Sequence, residues 1–134
     1  MRTGFLIVCL LLTTACDEKS PPGPTIPLAQ RFTLAPGESA TIDEAGFSIE
    51  FRSVSGDSRC PADAVCIQGG DASVHVRVTD STRTDYELHT GDSSRAAVTH
   101  RQARIELVEL QPYPFSSRPI GPGDYRATLT VTRP

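Results

Sequence analysis

The 134-residue chain has no tryptophan, one methionine and four cysteines, and its longest apolar run is the eight residues Phe5 to Leu12. A run of eight falls short of the roughly 20 apolar residues that a membrane-spanning helix needs. Charge of one sign is also lacking, since 13 Lys and Arg stand against 16 Asp and Glu for a net charge of −3. Without a basic excess there is no electrostatic footprint for phosphate backbones, and no nucleic-acid partner is expected. Helical periodicity is missing throughout. So are a Gly-x-Ser-x-Gly elbow, a phosphate-cradling glycine loop and a His-Glu-x-x-His pair, which leaves no ready catalytic constellation. The length suits a single domain, expected to be monomeric.

What is present begins at the amino terminus. Arg2 supplies a positive charge, Phe5 to Leu12 an apolar core, and Thr13-Thr14-Ala15 a run of small residues before Cys16. These are the parts of a secretion signal. The segment resembles the bacterial lipoprotein signal, in which the Cys after the cleavage point becomes the first residue and carries the lipid. Thr13 stands where that family most often has Leu. The resemblance implies a cleaved signal over residues 1–15, lipidation at Cys16, and attachment to a bacterial membrane on the exported side. In enteric-type hosts an Asp directly after the Cys resembles a signal for inner-membrane retention. Asp17 then implies the periplasmic face of the inner membrane; otherwise the outer membrane or cell surface follows.

The cysteine count is consistent with this reading. Cys9 leaves with the signal and Cys16 carries lipid, so Cys60 and Cys66 remain as an even pair in an oxidising compartment, where a disulfide is expected. After Cys16, Asp17-Glu18-Lys19-Ser20-Pro21-Pro22-Gly23-Pro24-Thr25-Ile26-Pro27 is rich in proline and nearly free of apolar residues. Residues 16–28 therefore read as the lipidated Cys and an extended, semi-rigid tether.

Residues 29–134 read as an all-β domain. Phe47 to Arg52, Ala72 to Val78, Ile105 to Leu110 and Tyr125 to Thr132 alternate apolar and polar residues, and Gly, Pro, Asp and Ser separate them. Weaker strands are read at Arg31 to Leu34, Ser39 to Ile42, Thr84 to His89 and Ala96 to His100. Period-2 runs of this kind are half-buried antiparallel strands. Seven or eight of them make an antiparallel β-sandwich, immunoglobulin-like or similar. Tyr125, after the Pro122-Gly123-Asp124 turn, reads as a structural tyrosine whose ring fills the core edge and whose hydroxyl bonds nearby backbone.

One connection stands apart. Between Val54 and Ala72, Cys60 and Cys66 close a small ring around Pro61, and Asp57, Asp63 and Asp71 lie in or beside it. Five residues intervene where redox motifs have two at a helix start, so a redox role is disfavoured. With backbone carbonyls the three aspartates could offer oxygen ligands to calcium. Their spacing matches no calcium loop, so neither metal nor cofactor is expected. The run Asp57-Ser58-Arg59-Cys60-Pro61, then Val65-Cys66-Ile67 and Gly69, resembles a recurrent pattern in small exported bacterial proteins, often lipoproteins, of unassigned activity. Leu110-Gln111-Pro112-Tyr113-Pro114 and Asp124-Tyr125-Arg126 belong to the same resemblance, which spans the domain from about residue 47. Gln68 stands where that pattern commonly has an aromatic residue.

The remaining candidates are bland or open. His75, His89 and His100 each sit alone on a strand among polar neighbours and read as solvated surface residues. Arg95, Arg101 and Arg104 read as a solvated β-edge, where charge blocks strand pairing. Tyr113 and Phe115, framed by prolines, either form an exposed contact tip or fold back to cap the sandwich, with capping favoured. Together these features point to a membrane-anchored, non-catalytic interaction module of the cell envelope, with an envelope protein or polymer as partner. Its expected contact loops carry Asp57, Arg59, Pro61, Asp63, Gln68, Tyr113 and Phe115. An envelope hydrolase and a disulfide-loop protease inhibitor are the alternatives.

Overall fold

The computed structural model describes residues 22–134. The segment read as a secretion signal, Cys16, Asp17 and the first part of the stretch read as a tether lie outside the described residues. Nine strands follow in chain order: β1 (Thr25–Ile26), β2 (Arg31–Leu34), β3 (Ser39–Ile42), β4 (Phe47–Ser55), β5 (Ser73–Thr79), β6 (Arg83–His89), β7 (Ala97–His100), β8 (Ala103–Gln111) and β9 (Arg126–Thr132). They form two sheets, ordered β1-β3-β4-β5-β6 and β2-β9-β8-β7. The all-β sandwich read from the alternating pattern is the fold observed, and the strands read from that pattern are all present.

Alternation explains the two layers. Ile49, Phe51, Val74, Val76, Val78 and Leu88 from the first sheet face Ile105, Leu129 and Val131 from the second, all essentially inaccessible to water. Each such side chain contributes roughly 1.5–3 kcal/mol relative to leaving it exposed. Two bulges interrupt the period, between Phe51 and Ser53 in β4 and between Leu107 and Glu109 in β8. Beyond each bulge the inward parity changes, from Phe51 to Val54 and from Leu107 to Leu110. The apolar face is kept while the strand end is re-aimed.

β1 is the strand beyond the expected eight. It pairs parallel to β3, with Thr25 beside Thr41 and Ile26 beside Ile42. Pro24 and Ile26 carbonyls accept bonds from the backbone N–H of Thr41 and Asp43, at 2.9 and 2.8 Å. Acceptance is all a proline can offer a ladder, which is why this stretch can still line a sheet edge. The segment read as tether up to residue 28 therefore joins the sheet at Thr25, and Ile26 and Leu28 pack against the core.

Apart from β1, which runs parallel to β3, paired strands are antiparallel. The connections after β2, β4, β6 and β8 consequently gather at one end of the sandwich. The residues leading into β1 emerge there too, since Pro22 and Gly23 lie beside Gly37 and Glu38. The turns around residues 43–46, 80–82 and 101–102 and the carboxy terminus occupy the opposite end.

The core predicts its own test. Phe51→Ala should cost about 3–5 kcal/mol, as large buried truncations do, read as a shift in urea midpoint at unchanged slope. A loss under about 1 kcal/mol would contradict the placement of Phe51 between the sheets.

Candidate contact end of the sandwich

The 56–72 connection is held by a largely shielded ion pair. Asp57 accepts from Arg59 Nε and Nη2, both at 2.8 Å, and from the Tyr125 hydroxyl at 3.0 Å. The other edge of the guanidinium donates to the carbonyls of Leu110 at 2.7 Å and Pro112 at 3.0 Å. Both side chains are largely shielded from water, and the Tyr113 ring lies 5.8 Å from the guanidinium carbon. Burial opposes ionisation of Asp57, but the bonds from Arg59 and Tyr125 outweigh it and hold the carboxyl below its ordinary range. Burial and the neighbouring carboxylate push the Tyr125 phenol up.

Tyr125 is buried as expected, but its hydroxyl bonds a carboxylate 68 residues away instead of local backbone. Residues of the Asp-Ser-Arg-Cys-Pro run, of the Leu-Gln-Pro-Tyr-Pro run and of the closing Asp-Tyr-Arg run thus meet in one network.

Cys60 and Cys66 form the disulfide, with Cα atoms 6.0 Å apart. The ring is also tied outward: the Ala62 N–H donates to the Pro114 carbonyl at 2.9 Å, and Asp63 accepts from the Ser116 N–H at 2.9 Å and hydroxyl at 3.2 Å. Those bonds hold the Asp63 carboxyl below its usual range. At the far end of the connection the Ser58 N–H donates to the Asp71 carbonyl at 2.7 Å. This crossing requires Gly70, where a Cβ would sit 1.4 Å from the Ser58 carbonyl oxygen.

Asp71 turns away from the ring. It accepts from His89 Nδ1 at 2.5 Å and from the Gly91 N–H at 2.8 Å. Burial resists its ionisation, yet the His89 and Gly91 bonds draw the carboxyl down to about 2. The three aspartates weighed for calcium are therefore each engaged by a different protein donor. Among the described residues no cluster of His, Cys, Asp and Glu is arranged to hold a metal ion.

The histidines differ most from expectation. His89 and His100 are buried, and only His75 is half-open, bonded to the Ser55 hydroxyl at 2.7 Å. His89 is covered by the 90–96 connection, with Arg95 and Glu87 at its Nε2. His100 lies between Asp80, 3.0 Å from Nε2, and the Tyr86 hydroxyl, 2.8 Å from Nδ1. Phe47 and Tyr86 meet its ring edge-on. Asp80 also pairs with Arg101 at 2.9 Å, and bonds from the Thr82 backbone and His100 lower its carboxyl well below the usual range. Strand alternation does not reveal either burial: His89 is covered by the connection that follows its own strand, and His100 by Asp80, Tyr86 and Phe47 from other strands and turns. Arg95, Arg101 and Arg104 form no common patch. Arg95 lies on the connection at the loop end, Arg101 in the opposite turn, and Arg104 on β8 beside Glu106.

Tyr113 and Phe115 do not cap the sandwich. They are 54% and 44% exposed. With Ala62, Pro112, Arg118 and Ile120 they line a mainly apolar groove of about 530 Å³, with the Arg118 guanidinium 5.7 Å from the Phe115 ring centre. Val65 and Ile67, on either side of Cys66, are fully exposed. Gln68 and Asp63 are exposed beside them, and Pro61 is half-buried within the ring. Sequence reasoning did not single out Val65 and Ile67, although two branched apolar residues flanking a ring cysteine are a readable signal.

The network predicts an acid response. Asp57 and Asp71 ionise more readily folded than unfolded, so the unfolded chain takes up more protons below about pH 4, the ordinary carboxylate range. Thermal midpoint should hold from pH 7 to about 5 and fall as pH drops from 4 towards 2. Asp57→Asn should lower the neutral-pH midpoint and flatten that decline; an unchanged decline would remove Asp57 from the cause. Arg59→Ala leaves a half-buried carboxylate without its partner and should cost about 1–3 kcal/mol, measured by urea unfolding. No family model, curated protein or solved structure matches the chain, so its contact end stands on its own geometry.

Proposed function

We propose that the protein is an exported bacterial lipoprotein, held on a membrane through Cys16, whose sandwich is a non-catalytic interaction module of the cell envelope. One observation carries this reading: the end of the sandwich where the chain enters β1 is also the end that presents exposed apolar residues on a braced scaffold. Val65, Ile67, Tyr113 and Phe115 are open to solvent, while Asp57, Arg59, Tyr125 and the disulfide fix the backbone beneath them. Backbone already fixed in the free protein loses little freedom on binding, which favours contact surfaces built this way. Its contacts are with the envelope, through the membrane itself and a protein or polymer.

The Asp71–His89 pair beside a cavity of about 290 Å³ is the feature that favours a hydrolase instead. A carboxylate orienting a histidine leaves its other nitrogen to activate a nucleophile. Here that nitrogen meets Arg95 and Glu87, neither of which is a nucleophilic hydroxyl or thiol. The geometry therefore supports a structural pair, which braces Gly91 and the 90–96 connection.

Cys16→Ser should move the protein from the membrane fraction to the soluble fraction of its host, measured by fractionation and immunoblot. Continued sedimentation with membranes would sink the lipoprotein reading.

A further inference from the structure

The geometry points to a specific placement: the loop end of the sandwich lies against the bilayer that holds the Cys16 lipid, with Val65 and Ile67 entering the lipid interface. This rests on the lipoprotein reading above and adds what the module touches.

Chain reach comes first. Cys16 lies six positions before Pro22, and a fully extended chain spans about 20 Å over that distance. Pro22 lies beside the β2–β3 turn, at the end shared with the 56–72 and 112–125 connections. The opposite end is a strand length away, about 30 Å for the nine residues of β4. A tether of that length holds the loop end near the membrane and cannot present the opposite end to it.

The chemistry of that end fits a lipid surface. Val65 and Ile67 are fully exposed on a ring closed by a disulfide and tied through Ala62 to Pro114, so they are offered to solvent on a fixed support. Tyr113 and Phe115 are partly open to solvent on the segment the ring is tied to, and Tyr is a residue type favoured at headgroup level. Arg118, at the Phe115 ring, is placed to meet a lipid phosphate. Of the aspartates at this end, Asp57 and Asp71 are turned inward to Arg59, Tyr125 and His89, whereas Asp63, Asp92 and Asp124 remain at the surface, each bonded by a backbone N–H of its own surroundings (Ser116, Ser94 and Gly121).

The absence of tryptophan makes the test direct. The full chain, exported and processed in a bacterial host, is prepared with Ile67→Trp as its sole tryptophan. A second version carries Gln102→Trp, an exposed position in the turn at the far end. Both are reconstituted on phosphatidylethanolamine–phosphatidylglycerol vesicles with or without bromine on the acyl chains, and flotation is scored before fluorescence. The expected result is flotation of both, with bromine quenching at least threefold stronger for Ile67→Trp than for Gln102→Trp. Flotation with equal quenching overturns the placement and leaves the lipid anchor standing. Failure to float overturns the anchor reading, and the placement with it. A photo-crosslinker at Val65 that captures a protein in cells, and not lipid, also overturns the placement in favour of a protein contact.

Discussion

The loop end depends on one largely shielded ion pair. Removing Asp57 and Arg59 from water is costly, and attraction alone does not repay that cost unless every donor and acceptor is used. Here nearly all are: two parallel bonds join carboxylate and guanidinium, Tyr125 donates to the former, and Leu110 and Pro112 accept from the latter, so four of the five guanidinium N–H groups are used. Through two side chains, the ends of β4, β8 and β9 become one unit. The disulfide acts locally by comparison, closing a ring of short reach. A short ring removes limited freedom from the unfolded chain. The ion pair fixes where that ring sits.

Two further pairs repeat the device at smaller scale. Asp71–His89 secures the 90–96 connection at the loop end, and Asp80–His100–Tyr86 closes the opposite end beneath Phe47. In each, a carboxylate reaches a buried imidazole from a neighbouring connection. Every buried side-chain polar atom among the described residues has a partner. A core lacking tryptophan and built mostly from Val, Ile and Leu is thus finished at both ends by hydrogen-bonded polar groups, where irregular backbone would otherwise admit water.

Most of the fold was legible because its signal is local. Alternation along Phe47 to Phe51 or Ala127 to Val131 states which face is inward without reference to any partner, and even the β8 bulge shows as three-residue spacing between Leu107 and Leu110. β1 escaped because two residues among prolines carry no period, and its pairing is with β3. The site was legible only in part. The disulfide follows from cysteine arithmetic, and Asp57, Arg59, Tyr113 and Tyr125 stand in recognisable runs. Their union does not follow, because the Asp57–Tyr125 bond spans 68 residues. The histidines show the same limit: polar neighbours along a strand say nothing about a connection folded over it.

The parallel pairing of β1 also sets how the domain bears load. Tension applied through the residues before Pro22 would pull along the axis of β1, parallel to β3 and across the bonds from Thr41 and Asp43. Bonds loaded in shear share the force and yield together, whereas a strand peeled from its end surrenders them singly. A two-residue strand at the sheet edge thereby takes an axial pull in shear before that pull reaches the core behind it.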